Sequence, residues 1–425
     1  MAISATLGWP FNNMNNTELL PHLFRTEYRK IVSVLYKHFG FEHPEIAEDI
    51  ASETFLSAAE TWGIKGLPDN PVGWLYTVAR NRAKDHLKRN KIFDQKITPV
   101  LQLSHEDVKE FDIDLSDQHI KDSQLQLMFA ICQPVIPPEA QISLSLRILC
   151  GFGIDEIADA FLTSKSTINK RLFRAKDKLR EEKVKIEFPP ATQITDRLQA
   201  VLTTLYLLFN EGYYSTSQDA TVRKELCLEA MRLTIFLLEY EPTNLSETNA
   251  LMALMCFHSS RFDARTDEHG EMIRYDDQDS SLWNEELIRK GEYYLNLSSK
   301  GGINKYHLEA AIAYWHTVKN DTTEKWENIL QLYNRLLQIA YSPAAALNRT
   351  FALYKSRGRQ QAIIEAEKLK LNNNHLYHVL LGHLYTSVDK TTAIHHLKTA
   401  LQFAKTTAEK SRIRKDLEQL NKTIY

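Results

Sequence analysis

The sequence predicts an all-α protein, on three observations. Glycine and proline are scarce, 14 and 13 in 425 residues, so few positions break a helix or set a tight β-turn. Apolar residues recur at three- and four-residue spacings along most of the chain. No convincing run of strictly alternating apolar and polar residues suggests a sheet. A length of 425 residues suits about three domains, and 43% apolar with 25% charged residues is an ordinary globular balance.

The helices follow in order. Glu18–Phe39 places Leu19, Leu23, Ile31, Leu35 and Phe39 on one face and ends at Gly40. The next helix opens at Pro44, with Glu45 and Glu48 beside the positive end of its dipole. Ile46, Ile50, Phe55, Ala58 and Trp62 point inward from it. Gly63–Asn70 reads as a loop, and Asn70 can cap a third helix over Pro71–Lys91. That helix puts Trp74, Val78, Ala79, Ala83 and Leu87 on its apolar side and Arg80, Arg82, Lys84, Lys88 and Arg89 over much of the rest. Lys96–Asp122 is acidic and aperiodic, as a linker would be. Helices resume over Gln124–Cys132, Pro138–Leu149 and Ile154–Phe161. Phe188-Pro189-Pro190 marks a boundary, and the remainder is again patterned for helix.

Charge is distributed unevenly although the net value is only −2. Glu42–Glu60 holds six acids and no lysine or arginine. Arg80–Lys96 carries a balance of +5, Ser104–Asp122 of −5 and Lys165–Arg180 of +6. Two cationic stripes separated by an anionic segment suit two DNA contacts joined by a linker that does not stick to DNA. No apolar run approaches the ~20 residues of a spanning helix, and Met1–Asn16 lacks the pattern of a secretory signal. Cys132, Cys150, Cys227 and Cys256 form no CxxC pair, as expected of reduced thiols in the cytoplasm. No cofactor or metal site is expected.

Residues 154–180 carry a helix-turn-helix pattern. Ile154, Ile157, Ala158 and Phe161 form a one-faced helix, Leu162-Thr163 the turn, and Ser164 the cap of a second helix. Ile168, Leu172, Ala175 and Leu179 form the buried stripe of that second helix. Lys165, Ser166, Asn169, Lys170, Arg171 and Arg174 point outward, with side chains suited to base edges and phosphates in a major groove.

The stretches AEDIASETF (47–55) and PVGWLYTVARNRAKD (71–85) resemble region 2 of bacterial RNA polymerase sigma factors, and the compact extracytoplasmic-function type is the best match. IDEIADAF followed by SKSTINKRLFRAKDKLR (154–180) resembles region 4 of the same family. The two blocks occur in the family's order over about residues 16–185. The resemblance implies that Asp49, Glu53, Thr54 and Phe55 form a surface for the coiled coil of the β′ subunit of core polymerase. It implies that the loop 63–70 and the head of the next helix open the minus-ten element. Arg80, Arg82, Lys84, Lys88 and Arg89 would hold the single strand, and Trp74 and Tyr76 are candidates to stack on bases, Trp74 being better placed for the core. Region 4 would read the minus-thirty-five element. Promoter DNA and core polymerase are thus the expected partners. A sigma factor is not an enzyme.

The chain continues for about 240 residues beyond region 4. LFNEGY (208–213), ELCLEAMRL (225–233), ALMALM (250–255), DQDSSLWN (277–284) and LEAAIA (308–313) are similar to a sigma-factor subgroup with such an extension. Leu353-Tyr354 recurs 31 residues later as Leu384-Tyr385, and Ala362-Ile363 as Ala393-Ile394. This period, with small residues Ala352, Gly382 and Ala400, suggests tetratricopeptide-like helical hairpins, which commonly bind a peptide or another domain. The fused module is expected to regulate or support activity, through a regulatory protein or an intramolecular contact. Asp276, Asp277 and Asp279 could hold Mg²⁺, but with no phosphate-binding loop beside them a polar network with Arg261, Arg265 and Arg274 is the better expectation. Adjacent His395 and His396 point apart and make poor joint metal ligands.

The expected layout is region 2 over 16–95, the acidic linker over 96–122, region 4 over 123–186, a family-specific helical domain over 192–297 and a tetratricopeptide-like domain over 298–425. The alternative is a helix-turn-helix regulator on a helical interaction scaffold, acting without direct polymerase binding. An enzyme in the tail is a third reading.

Overall fold

The structure is a computed structural model that describes residues 16–97, 113–161, 163–213, 220–265, 273 and 275–422. Among these residues all regular structure is helical, as expected. The chain divides into two compact units, Met1–Glu211 and Gly212–Tyr425.

The first unit opens with three helices: α1 (Asn16–Phe39), α2 (Pro44–Lys65) and α3 (Pro71–Ile97). Their shared core contains Leu23, Ile31, Leu35, Ala47, Ile50, Phe55, Ala58 and Trp62, all buried. The loop before α3 is shorter than expected, because α2 runs on to Lys65. Gly66 closes α2 with φ +82°, donating its N–H to the Trp62 carbonyl. Asn70 accepts from the Gly73 N–H at 2.9 Å, the predicted cap. The buried stripe of α3 is Leu75, Ala79 and Ala83, each 0% exposed. Trp74 lies at the flank of that stripe, edge-on to Trp62 with centroids 5.4 Å apart.

The rest of this unit is α4 (Asp117–Ile131), α5 (Pro138–Leu144) continuing as a π-turn over Ser145–Leu149, α6 (Ile154–Ala160), α7 (Lys165–Glu181) and α8 (Ile194–Tyr213) up to Glu211. Ile113 and Leu115 are buried and α4 begins at Asp117, so the end of the expected linker is anchored in the core. Most of that linker, 98–112, lies outside the described residues. α8 packs with region 4: Arg197 donates to the Phe129 carbonyl at 2.7 Å and Thr204 to Gln141 Oε1 at 2.7 Å. The first unit thus extends past the expected boundary at 192.

The second unit begins with α9 (Ala220–Glu239), α10 (Ser246–Ser259), the single turn α11 (Phe262–Arg265), α12 (Glu285–Ser298) and α13 (Lys305–Trp315). Met252, Met255 and Phe257 make α10 its buried centre. Gly291 of α12 lets that helix approach, since a Cβ there would meet the Phe257 ring at 2.6 Å. α14 (Thr323–Ile339), α15 (Pro343–Arg357), α16 (Arg359–Lys368), α17 (His375–Tyr385), α18 (Lys390–Phe403) and α19 (Thr407–Lys422) complete it. The 31-residue repeat is structural: Leu353 and Leu384 are buried in α15 and α17, and Ala362 and Ala393 in α16 and α18. No described helix is long and apolar enough to cross a membrane.

Candidate nucleic-acid interface

The helix-turn-helix forms as its sequence pattern requires. The Thr167 N–H donates to Ser164 Oγ at 3.1 Å, which caps α7, and Ile168, Leu172, Ala175 and Leu179 are buried. Ahead of it, Glu156 Oε2 accepts from the Gly153 N–H at 2.7 Å and closes the first turn of α6. Lys165, Ser166, Asn169, Lys170 and Arg174 are exposed on α7. Lys165 pairs with Asp155 at 2.7 Å, an exposed contact of little strength. Arg171 is the exception among the outward set. It donates to Ser143 Oγ at 3.2 Å and lies 5.1 Å over the Phe161 ring, so it fastens the hairpin to α5. Phe173, 69% exposed, occupies the solvent side with Ser166 and Lys170. Sequence reasoning passed over it because large apolar residues are ordinarily assigned to the core, although its offset from Leu172 and Ala175 already put it outside the buried stripe.

Region 2 shows more departures. Thr54 is 0% exposed, its hydroxyl bonded to the Ile50 carbonyl, and Phe55 is 4% exposed against Phe24 and Tyr28. Both belong to the core and offer no surface to a partner. Asp49 and Glu53 are exposed, and Leu56, 59% exposed, shares their side of α2. Among the cations, Arg80 donates to the Ile113 carbonyl at 3.0 Å and is spent on holding the linker. Arg82 bonds Glu53, and its other nitrogen reaches Ser57 Oγ at 2.8 Å. Two residues expected to face different partners therefore neutralise each other. Lys84 is half-buried, while Lys88 and Arg89 are exposed. A groove of about 500 Å³ runs between α2 and α3 beside Asp49, Glu53, Asn81, Arg82, Asp85 and Arg89. Tyr76 donates to Glu27 Oε2 at 2.6 Å; burial and that carboxylate push its hydroxyl far above its ordinary pKa, so it stays a neutral structural donor.

Regions 2 and 4 pack into one body. Lys176 of α7 reaches Glu48 of α2 at 2.5 Å, and Glu48 also accepts from the Tyr36 hydroxyl at 2.6 Å. Arg25 of α1 pairs with Glu156 of α6 at 2.7 Å. Gly151, at φ +78°, lies so close to α1 that a Cβ would sit 3.1 Å from the Arg25 carbonyl oxygen. Arg147 lies 5.9 Å over the Tyr28 ring.

In the second unit Asp276, Asp277 and Asp279 have partners other than Arg261. Asp276 pairs with Lys355 at 3.6 Å, Asp277 with Arg412 at 3.8 Å, and Asp279 caps the short turn at Ser281. Arg261 and Arg265 instead lie over Tyr275 and Tyr213. Arg274 lies outside the described residues. No group of three potential ligands that could hold a metal occurs among the described residues.

A cationic helix-turn-helix behind an acid-faced three-helix domain is the arrangement of a helical, sigma-factor-like transcription initiation factor. The comparisons agree: sigma-70 region 2 matches residues 23–92 and sigma-70 region 4 matches 135–179. A family of unknown function, DUF6596, matches 197–299. The chain is 32% identical over 387 residues to an uncharacterized protein of Rhizobium meliloti (strain 1021), covering 89% of this chain and 91% of that one. It is 25% identical over 138 residues to the RNA polymerase sigma-H factor of Pseudomonas aeruginosa, covering 31% of this chain and 69% of that one. No solved structure matches. The chain belongs to the family of that Rhizobium protein, and it joins sigma-70 regions 2 and 4 to a DUF6596 extension, as an extracytoplasmic-function-like sigma factor with a C-terminal extension would.

Proposed function

We propose that this chain docks core RNA polymerase through the exposed side of α2 and directs it to promoters with two DNA-binding surfaces. Asp49 and Glu53, with Leu56 beside them, meet the coiled coil of the β′ subunit. Lys84, Lys88 and Arg89 of α3 hold the opened minus-ten strand. Lys165, Ser166, Asn169, Lys170 and Arg174 of α7 engage the minus-thirty-five element in the major groove, and Phe173 contacts a thymine methyl. The polymerase carries out the phosphoryl transfer, and this chain supplies binding and strand separation in the cytoplasm. The second unit, with tetratricopeptide-like hairpins in its last third, regulates or supports that activity through a protein partner or an intramolecular contact. The observation that carries this reading is the exposed cationic face of α7 in one folded body with the exposed acidic face of α2.

Run-off transcription with purified core polymerase on genomic fragments tests it and yields the promoter. Promoter-directed transcripts that depend on the full chain support the proposal. Failure of both the full chain and residues 1–211 to associate with core polymerase refutes it and favours a polymerase-independent regulator. Comparing promoter choice by the full chain and by residues 1–211 tests the second unit, and identical activity and choice would remove its regulatory role. The cut falls at 211 because α8 is packed into the first unit.

A further inference from the structure

Among the described residues, the second unit contains buried basic side chains that no described carboxylate pairs with. Arg261 is only 7% exposed, and its described hydrogen bond is a long one, Nη2 to the Tyr213 hydroxyl at 3.4 Å. Its Nε is enclosed and has no hydrogen-bond partner, and no described carboxylate is within ion-pairing distance. Lys325 is 1% exposed, and its ammonium donates to two neutral oxygens, the Tyr275 hydroxyl at 2.7 Å and the Val318 carbonyl at 2.6 Å. Asp321, one turn away in sequence, is occupied by Lys355 at 2.9 Å and by Trp326 Nε1. Asp276 is likewise paired with Lys355.

These groups converge on one ring. The Arg261 guanidinium lies 5.4 Å from the Tyr275 centroid, the Lys325 ammonium 5.1 Å, and the His316 ring 5.0 Å. Trp283 stacks on the same tyrosine at 6.4 Å. Trp283 Nε1 and His316 Nδ1 are both enclosed and have no hydrogen-bond partner. Tyr275 and His316 are each partly buried. A buried cation without a counter-charge is costly to maintain. An aromatic face offsets part of that cost through cation–π attraction. It leaves the Arg261 Nε–H and Trp283 Nε1–H groups unfilled, and the neutral His316 ring with one unpartnered nitrogen.

We propose that this cluster is a binding site for a phosphate oxyanion, free or as the ester of a small molecule, held by Arg261 and Lys325 with Trp283 Nε1 and His316 beside them. A tetrahedral oxyanion offers several acceptor oxygens to converging donors, and guanidinium and ammonium groups are its usual partners in proteins. The electrostatics point the same way. Burial, then Arg261 and Lys325, hold the His316 pKa down to about 3, and burial pulls Lys325 down to about 8. An arriving anion would relieve both, so binding would raise both pKa values.

The test is thermal unfolding of the full chain titrated with inorganic phosphate at constant ionic strength set by chloride. In parallel the phosphorus NMR line of the free anion is followed. Saturable stabilisation with line broadening is expected, weakened at least tenfold in R261Q and in K325M, each measured against its own phosphate-free baseline. Y275F, which keeps the ring, should bind within about threefold of the parent. If R261Q does not fold, R261K keeps the charge without the fork and should still bind more weakly. A glycerol phosphate arm separates the sources: equal or tighter binding means that an ester fits, and weaker binding means free phosphate. A response that never saturates, or one equal in the parent and both variants, overturns the proposal.

Discussion

The contact between Lys176 and Glu48 gives the sharpest test of how the first unit works. Elements 25 base pairs apart lie about 85 Å apart along B-DNA, at 3.4 Å per step. α7 has 17 residues and is about 25 Å long, and it touches α2 directly. Under the proposed function, regions 2 and 4 cannot reach both elements while this contact holds, so that proposal requires the body to open. Lys176 and Glu48 are 19% and 21% exposed at 2.5 Å. At an effective dielectric constant of 20 the attraction is about 7 kcal/mol gross. Desolvation offsets most of it, leaving about 1.5–3 kcal/mol for a charge-assisted bond. The more exposed Arg25–Glu156 pair adds under about 1 kcal/mol. The double variant K176M/R25Q should raise the ratio of open to closed forms by about one to three powers of ten. Fluorophores at the exposed positions Lys88 and Asn169 would report this as a fall in energy transfer. The exchange E48K/K176E should restore much of the closed population. Unchanged transfer in K176M/R25Q, or no recovery in the exchange, would refute the reasoning.

Other outcomes follow from burial and bonding. F55A should cost about 3–5 kcal/mol of stability by opening a core cavity. D49A and L56A should leave unfolding within about 0.5 kcal/mol while weakening capture of core polymerase, read by chemical denaturation and pull-down. K170A should reduce the salt dependence of promoter binding by about one ion, whereas R171A should lower the stability of region 4 with little change in that slope. Between about pH 8 and 10 the unfolded chain keeps a proton on residue 325 that the folded one has lost. The lysine thus makes stability rise with pH in that window, by up to about 3 kcal/mol. Tyrosines whose pKa burial raises, Tyr275 at about 12 among them, act in the opposite direction near pH 10, because they titrate earlier in the unfolded chain. In urea unfolding, the stability of the parent relative to K325M should rise between pH 8 and pH 10.

Local patterns were legible in the sequence. The stripe of α7, the Ser164 cap and the Asn70 cap rest on spacings within a few residues, where helix geometry leaves little choice. Phe55 shows what happens when periodicity and resemblance disagree. Its offset from Ile50, Ala58 and Trp62 placed it inward, the family correspondence placed it outward, and burial decides for the spacing. Trp74 packs on the core residue Trp62 as expected, but Leu75 takes the centre of the stripe, because an amphipathic stripe with apolar flanks does not say which residue lies at its centre. Arg80, Arg82 and Arg171 looked like DNA contacts by charge. Their partners Ile113, Glu53 and Ser143 lie 33, 29 and 28 residues away, and no local pattern encodes such pairings. Arg261 and Tyr275 were within reach of inspection, but sequence proximity favoured the acids after Tyr275 over the ring itself.

Glu156 has a consequence for how the parts communicate. One of its oxygens ends the backbone of α6 and the other grips Arg25 of α1. In the opening proposed above, that carboxylate would recover the freedom to turn, and the first turn of α6 would lose a constraint on its terminus. Separation of the domains and the rigidity of the reading head are thus thermodynamically linked. A promoter that favours a more adaptable reader would, by reciprocity, favour the separated state.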